Sequence, residues 1–254
     1  MRSRWRPPRD RVRPDVVLRL VVRTFSEVCL TAGTLIVLFV AYVLLWTGVK
    51  ADRAMDGEMD RMRDRWAAVP AAAPAPAPAP QPAPSQTPSA APAQPERHPA
   101  GRAFAEMYVP RFGPDWVKPV LEGTDPELLK KGLGHYAATA PLGAVGNFSV
   151  AGHRRTYGDP FKDFPRLRPG DEVILKDAST WYTYTLRSAP LRTLPTDVAV
   201  VDPVPEKSPF RAPGRYLTLT TCEPEWGHSH RLVVWAELTG TLPASRGRPE
   251  GLSG

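Results

Sequence analysis

Residues 216–222 read Tyr-Leu-Thr-Leu-Thr-Thr-Cys, and nine residues after Cys222 a second run, Arg-Leu-Val-Val-Trp-Ala-Glu-Leu, begins at Arg231. Far upstream, residues 147–153 read Asn-Phe-Ser-Val-Ala-Gly-His and end on His153. All three runs are rich in β-branched, aromatic and apolar residues, a composition that is typical of β-strands. They predict an all-β domain in which a thiol, an imidazole and a guanidinium each stand at a strand end.

The folded domain is predicted over residues 102–242, where short strand-like runs alternate with Pro and Gly turn signals. The expected strands are Phe104–Pro110, Val117–Glu122, Asn147–His153, Glu172–Lys176, Trp181–Ser188, Val198–Val201, Tyr216–Cys222 and Arg231–Leu238. One helix is expected over Asp125–Lys131, with Thr124 as N-cap and Pro126 in its first position, and a single helical turn over Phe161–Leu167. Many short strands separated by turns favour a closed β-barrel or a sandwich.

An apolar run at residues 28–49 predicts a transmembrane helix. Its 22 residues carry no charge, and a helix of that length spans about 33 Å, enough for a bilayer core of about 30 Å. The alternative is a cleaved signal peptide, whose apolar region is about 7–15 residues long and ends at a small-residue cleavage site. The sequence Thr-Gly-Val-Lys at 47–50 offers no such site. An uncleaved signal anchor is therefore favoured, with Cys29 as an apolar filler.

Arginines are concentrated before this run, and they determine the predicted orientation. Eight of them lie between Arg2 and Arg23, and they are the main source of the formal net charge of +7. The positive-inside rule predicts that residues 1–27 form a basic cytoplasmic tail and that the folded domain is extracellular, on a single-pass protein of the cell membrane. Because the positive charge is concentrated in the tail, no nucleic-acid partner is expected.

Two segments separate the apolar run from the folded domain. Residues 50–66 have a helical pattern, with Met55, Met59, Met62 and Trp66 on one stripe. This stripe favours a helix that rests on the membrane surface or on the domain, with a short dimerising coil as the alternative. Residues 67–101 are rich in Ala and Pro, and 11 of the chain's 31 prolines lie between residues 70 and 99. Such a disordered linker favours polyproline II and predicts a spacer of up to about 100 Å. A disordered tail is expected over residues 243–254.

Strand alternation assigns the side chains of the reactive residues to faces. Cys222 shares its face with Thr220, Thr218 and Tyr216, and His153 shares its face with Ala151, Ser149 and Asn147. Small and polar neighbours leave room for an extended peptide. A free thiol is a weak nucleophile at neutral pH unless a cation or a base activates it. His153 is suited to that role, and the forked guanidinium of Arg231 is suited to an oxyanion or a substrate carbonyl. These residues predict cysteine acyl transfer.

Other histidines offer alternatives to His153. His228 and His230 follow Cys222 closely, but Cys-x5-His-x-His lacks a fourth ligand and a Cys-x-x-Cys pair, so a zinc site is not favoured. They are interpreted as solvated loop residues. His98 belongs to the linker. His135 lies in Gly-Leu-Gly-His-Tyr at 132–136, and its glycine neighbours keep a functional role open.

Several short motifs occur in order along residues 104–240. They are Tyr-Val-Pro-Arg-Phe-Gly at 108–113, Gly-His-Tyr at 134–136, Thr-Ala-Pro-Leu-Gly at 139–143, Val-Gly-Asn at 145–147, Ala-Gly-His-Arg at 151–154, and Thr-Leu-Thr-Thr-Cys at 218–222 followed by Arg231. In content and order they resemble the sortases, and specifically the class E sortases of high-GC Gram-positive bacteria.

The resemblance implies an eight-stranded sortase-type β-barrel and a transpeptidase. Cys222 is then the nucleophile that attacks the Thr–Gly bond of a C-terminal LAxTG- or LPxTG-type sorting signal, leaving a thioester. His153 is the general acid and base, and Arg231 stabilises the oxyanion. The partners implied are proteins that bear sorting signals and the amine of a lipid-linked peptidoglycan precursor at the membrane.

Substrate contacts and departures from the family pattern follow from the same resemblance. By position, Ala151, Tyr136, Thr220 and Thr221 are candidate substrate contacts. Leu133 stands where class E members are expected to have Pro, and residues 223–226, Glu-Pro-Glu-Trp, are unusually acidic and aromatic. Both departures are expected to affect substrate preference more than mechanism. No cofactor is implied, and no acidic cluster predicts the calcium site of some other sortases.

Two competing functions share these residues. In a cysteine hydrolase, a thiol protease in the ordinary sense, water would resolve the same thioester. In an inactive wall-binding module on a stalk, Cys222 would react slowly with an alkylating reagent, and its reactivity would not depend on His153.

Overall fold

The computed structural model describes residues 14–68 and 98–252. The chain forms two compact units, one ending at Trp46 and one beginning at Thr47. Most of the predicted linker, residues 69–97, lies outside the described residues, as do the first 13 residues of the predicted cytoplasmic tail.

The first unit is the beginning of a long helix, α1 (Pro14–Ala68). Within the described residues, one segment of it, Leu18–Tyr42, is long and apolar enough to cross a membrane, with 25 residues and a mean hydropathy of 1.9. This segment begins ten residues before the predicted span of 28–49. The earlier start arises because apolar residues on both sides of Arg19 and Arg23, which include Leu18, Val21 and Phe25, extend the apolar run toward the N-terminus.

The second unit is a β-barrel with few helices. Its strands are β1 (Ala103–Tyr108), β2 (Val117–Glu122), β3 (Leu133–His135), β4 (Gly146–Ala151), β5 (Glu172–Lys176), β6 (Thr180–Leu186), β7 (Leu191–Thr193), β8 (Arg215–Glu223) and β9 (His230–Pro243). The strand order is β6-β5-β1-β2-β3-β4-β8-β9, and β6 also pairs with β9, which closes the barrel with eight strands. The short β7 pairs with the outside edge of β9. The predicted eight-stranded barrel is therefore confirmed.

Strand β9 closes the barrel because it is long enough to pair along two different strands. Its first half pairs antiparallel with β8, from His230 opposite Glu223 to Glu237 opposite Tyr216. Its second half pairs antiparallel with β6. Most ladders are antiparallel, but β2–β3 and β4–β8 are parallel. The β4–β8 pair is the one that matters for the site, since it aligns the strands that lead to His153 and Cys222.

Apolar side chains fill the barrel along alternate positions of these strands. Phe148 and Val150 of β4 and Leu217 and Leu219 of β8 are buried in the main core cluster. Their neighbours on the same strands, which include Ser149 and Thr218, face the opposite side of the sheet. The alternation predicted for these two strands thus separates an apolar interior from a polar face, whose residues Ser149 and Thr218 are themselves buried.

The predicted strand Val198–Val201 is wrong, because these residues form a 3₁₀ helix. Val200 packs against Trp235 and Tyr216 outside the barrel. Its carbonyl accepts hydrogen bonds from the Trp235 indole (3.0 Å) and the Thr218 hydroxyl (3.3 Å). Side chains thus satisfy this backbone without a strand ladder, and a short apolar run alone does not distinguish the two cases.

The remaining differences concern short elements. Strands β3 and β7, three residues each, were not predicted. Helix α2 spans Pro126–Leu129, and its N-cap is Asp125 where Thr124 was predicted. The single turn predicted over Phe161–Leu167 is a 3₁₀ turn at Phe164–Arg166. Within the predicted disordered tail, the structure has 3₁₀ turns at Ala244–Arg246 and Glu250–Leu252. Ala244 and Leu252 pack on the cluster of Tyr108, Ile174 and Trp181.

Candidate active site

Cys222 and Arg231 are directly opposite each other on β8 and β9. Directly opposed residues of an antiparallel pair place their side chains on the same face, with Cβ atoms about 4.5–5.5 Å apart. Arg231 donates from Nη1 to the carbonyl oxygens of His228 (3.1 Å) and His230 (3.0 Å). These bonds hold the guanidinium near the strand end. Cys222 is a free, half-buried cysteine.

The parallel pairing of β4 with β8 directs the chain segments that lead to His153 and Cys222 toward the same end of the sheet. The paired residues end at Ala151, which is opposite Thr220, and His153 and Cys222 each follow two residues later in the sequence. Contacts at Gly152 continue this alignment beyond the end of β4. The Gly152 amide donates to the Thr220 carbonyl (3.1 Å), and the Thr221 hydroxyl donates to the Gly152 carbonyl (2.8 Å).

The environment of His153 favours its neutral form. Burial lowers the pKa of the imidazole below its ordinary value, and the positive charge of Lys130 lowers it further. The ring packs against that of Tyr157, with 5.0 Å between centroids. Its Nε2 atom is buried and has no hydrogen-bond partner among the described residues. A neutral imidazole with an unpaired ring nitrogen can accept a proton from a neighbouring thiol.

The predicted substrate contacts fall into two groups. Tyr136, Thr220 and Ala151 lie together, because the Tyr136 hydroxyl is 3.1 Å from Thr220 Oγ1 and Ala151 is opposite Thr220. Thr221 is placed differently, since its buried hydroxyl is bonded to the Gly152 carbonyl. Thr221 therefore connects the strand that carries Cys222 to the residue before His153.

Ion pairs connect the residues that follow His153 to the residues that follow Cys222. Arg154 forms an ion pair with Glu223, and Arg155 Nε lies 2.9 Å from Glu225 Oε1. The Arg155 guanidinium also lies 4.6 Å from the ring centroid of Trp226. The acidic and aromatic sequence at 223–226 is thus explained by its partners. Sequence reasoning missed these pairs, because nothing in the spacing of Arg154 and Glu223 shows that they meet.

His135 and His230 contact other side chains of the protein. His135 is buried, with Nδ1 2.9 Å from Glu122 Oε2 and Nε2 3.1 Å from Thr139 Oγ1. Its ring stacks on Phe148 at a centroid distance of 4.5 Å. His230 Nδ1 lies 3.1 Å from Arg192 Nη2. Within residues 14–68 and 98–252, no group of three or more His, Cys, Asp or Glu side chains is arranged to hold a metal ion.

Leu133, which was predicted to influence substrate preference, is fully buried in the main core cluster. It lies in β3, opposite Val120 of β2. Its side chain therefore packs the barrel interior.

The fold is a closed eight-stranded β-barrel in which a free cysteine, Cys222, is opposite an arginine, Arg231, on a neighbouring strand. A family model described as a sortase domain matches residues 107–239. Sortase SrtE2 of Streptomyces coelicolor is 33% identical over 92% of this chain and 88% of its own length. Sortase SrtE1 of the same organism is 34% identical over 91% of this chain, which spans 60% of that protein's length.

Solved structures agree with this assignment. Sortase E from Streptomyces avermitilis is 64% identical, with a TM-score of 0.58, and covers 61% of this chain and 99% of itself. Sortase E1 from S. coelicolor, solved with a tripeptide in its active site, is 38% identical with a TM-score of 0.56, and covers 60% of this chain and 97% of itself. The chain belongs to the sortase family, and its resemblance to class E members is confirmed.

Proposed function

We propose that this chain is a membrane-anchored cysteine transpeptidase. Its substrates are proteins with a C-terminal LAxTG- or LPxTG-type sorting signal, which it cleaves between Thr and Gly and joins to a cell-wall precursor amine. The observation that carries the proposal is the pairing of β8 with β9, which sets Cys222 opposite Arg231, together with the parallel β4–β8 pair, in which β4 ends two residues before His153.

The first half-reaction forms a thioester. Neutral His153 accepts the thiol proton while the sulfur of Cys222 attacks the carbonyl carbon of the threonine in the sorting signal. Arg231 donates hydrogen bonds to the oxygen that becomes negative in the tetrahedral intermediate. When the C–N bond breaks, imidazolium His153 gives its proton to the departing glycine amine.

The second half-reaction transfers the threonyl group to the acceptor. The precursor amine attacks the thioester carbonyl, and His153 accepts a proton from that amine. The C–S bond then breaks, and the sulfur of Cys222 leaves and regains its proton from His153. Water in place of the amine gives hydrolysis through the same steps, which is why product analysis is needed to separate transfer from hydrolysis.

The polar face beside the thiol is the proposed substrate groove. Tyr136, Thr220 and Ala151 lie along this face, and an extended peptide that reaches Cys222 would pass over them. We assign Thr221 a different part, in which its bond to the Gly152 carbonyl keeps β4 and β8 aligned.

The proposed location follows the apolar helix and the arginines that precede it. The segment Leu18–Tyr42 is the candidate span, and the arginine-rich sequence before it places the N-terminus in the cytoplasm and the barrel outside. Sorting substrates and lipid-linked precursors both reach that surface, so anchoring raises their effective concentration at the enzyme.

The test of the proposal is product analysis with the full chain in detergent micelles. An LAxTG peptide is supplied with and without triglycine, and the products are identified by mass spectrometry. The proposal expects a peptide joined to triglycine through its threonine. Cleavage without joining would favour the hydrolase. If neither LAxTG nor LPxTG peptides are cleaved, and the alkylation of Cys222 is slow and unaffected by loss of His153, the inactive binding module is favoured.

Arg231→Ala is expected to lower kcat/KM by about 10²–10³-fold, the cost of losing one oxyanion donor. Arg231→Lys should recover only part of this loss, because an ammonium keeps the charge but lacks the forked donor geometry. Peptide cleavage rates provide the measurement. Arg187→Ala is the matched control, since Arg187 pairs with Glu237 at 3.2 Å on the exposed surface. Equal rates for Arg231→Ala and the control would contradict the role of Arg231.

Tyr136→Phe is expected to raise KM for an LAxTG peptide about threefold to tenfold, because one neutral hydrogen bond contributes about 0.5–1.5 kcal/mol. Its hydroxyl lies 3.1 Å from Thr220 Oγ1, so its loss should disturb the groove and leave the chemistry intact. Steady-state kinetics would show a KM effect with little change in kcat. A loss confined to kcat would instead place Tyr136 in the chemical step.

A further inference from the structure

The last part of α1, the helical segment 51–66, is packed against the outside of the barrel. Met59 and Met62 are buried in one apolar cluster with Ala103 of β1 and Leu121 of β2. Trp66 packs against the edge of the same cluster. The methionine stripe of the sequence is therefore covered by the protein's own barrel.

Polar contacts hold the same segment in place. Arg63 Nε lies 2.5 Å from Oε1 of Glu106, whose carboxylate is 1% exposed on β1. Arg65 Nη2 donates to the Ala103 carbonyl at 2.7 Å. A buried carboxylate is costly unless it is paired, and Arg63 provides that charge partner. The barrel surface is thus built to receive this helix.

The beginning of the segment reaches the loop that follows His153. A Cβ atom on Gly158 would lie 2.8 Å from Asp52 Oδ1, 3.1 Å from Met55 Cε and 3.7 Å from Ala51 Cβ. These distances show that the helix covers the Gly158 backbone directly. Met55 is 2% exposed, so its side chain is almost wholly enclosed at this contact.

The covered loop has an unusual backbone. Thr156, Tyr157, Gly158 and Asp159 have φ values of 80°, 52°, 80° and 48°. Non-glycine residues rarely adopt this region, and they persist there only where their surroundings enforce the conformation. Internal contacts support the loop, since Asp159 Oδ1 accepts from the Thr156 amide at 2.6 Å. The helix supplies a second, external support.

Tyr157 connects the braced loop to the candidate base. Its ring lies 5.0 Å from the His153 ring, with an angle of 43° between the planes. A continuous set of contacts therefore runs from Met55 to Gly158, to the adjacent Tyr157, and to His153.

We propose that the helical segment 51–66 belongs to the catalytic unit and positions His153 through Gly158 and Tyr157. The inference rests on the proposed function, because it assigns the segment to the general base of that reaction. Met55 acts as a positioning residue, since it touches the loop and not the substrate. The part of the chain next to the membrane anchor thus becomes part of the enzyme.

The packing of segment 51–66 on the barrel also shows which parts of the chain the Ala/Pro-rich residues 69–97 connect. Ala68 and His98 both belong to the barrel unit, and Trp66 and His98 line one cavity. His98 also stacks on Phe104, with 4.1 Å between centroids. Residues 69–97 therefore connect two points of one unit. Their role as a spacer between membrane and enzyme stays a prediction of the sequence.

The test compares variants of the full chain in detergent micelles. Met55→Ala removes the side chain on Gly158, and Asp60→Ala on the exposed side of the same helix is the control. Met55→Ala is expected to lower kcat about tenfold with little change in KM, because a shift of about 1 Å in a catalytic group can cost up to 10²-fold. Met55→Leu should restore most of the activity.

Hydrogen exchange provides a readout that does not depend on turnover. Faster amide exchange over residues 155–161 is expected in Met55→Ala and not in Asp60→Ala. Wild-type kcat in Met55→Ala, or a lower kcat without faster exchange in the loop, would overturn the inference. If the wild-type chain cleaves neither peptide, the proposed function fails. The exchange data would then decide separately whether the helix braces the loop.

Discussion

Cys222→Ala is expected to abolish both cleavage of a sorting-signal peptide and its transfer to an amine. Cys222 opposes Arg231 across β8 and β9, and alanine has no group that can attack a carbonyl or carry the acyl intermediate. The other residues of the site cannot replace a covalent nucleophile, so the loss should reach the detection limit. Turnover of an LAxTG peptide by the full chain, followed by mass spectrometry, provides the measurement.

The matched control is Cys29→Ala, which removes the other cysteine of the chain. Cys29 lies in the candidate membrane span, and its removal should leave the rate unchanged. If Cys222→Ala still cleaves the peptide and Cys29→Ala does not, the assignment of the nucleophile is contradicted. Circular dichroism of both variants should match that of the wild type, since neither change alters a buried core side chain of the barrel.

His153→Gln is expected to lower kcat by about 10²–10⁴-fold, the usual contribution of a general acid or base. The acidic limb of kcat/KM in the wild type should also report this residue. The reaction begins with neutral His153, so activity falls as the pH drops through its pKa. Burial and Lys130 lower that pKa, so the limb should lie below about 6.5, the ordinary value for histidine.

Lys130→Ala tests whether the positive charge of Lys130 lowers the pKa of His153. Removing a nearby positive charge makes protonation of His153 easier, so its pKa should rise and the acidic limb should move to higher pH. His230→Gln is the control, because His230 contacts Arg192 and Ser229 and not the thiol. A wild-type limb above pH 6.5, or a Lys130→Ala limb that moves to lower pH, would contradict the account.

The strands of the barrel were predictable because their information is local. Alternation on β4 and β8 separates buried Phe148 and Leu217 from polar neighbours on the opposite face, and residues that alternate in sequence must face opposite sides of a sheet. The same rule placed His153 and Cys222 on one type of face. The pairing of the strands that lead to them, β4 parallel to β8, could not be read from the alternation.

Features that depend on distant partners were not predictable. Val198–Val201 is a 3₁₀ helix because Trp235 and Thr218 satisfy the carbonyl of Val200. His135 proved buried against Glu122, with 2.9 Å between Nδ1 and Oε2. The sequence indicates a possible role for His135 but carries no signal that its partner is Glu122. The barrel's contact with Met55 and Met62 was similarly hidden, because an apolar stripe does not name the surface that covers it.

The most direct measurement is the mass of the trapped intermediate. The full chain is mixed with an LAxTG peptide without amine, quenched in acid, digested and analysed by mass spectrometry. The account predicts a peptide containing Cys222 that carries the substrate up to its threonine and loses it on treatment with hydroxylamine. It predicts no such adduct in Cys222→Ala. Turnover of the peptide through an adduct at another residue, or an unmodified Cys222 throughout turnover, would contradict the proposed mechanism.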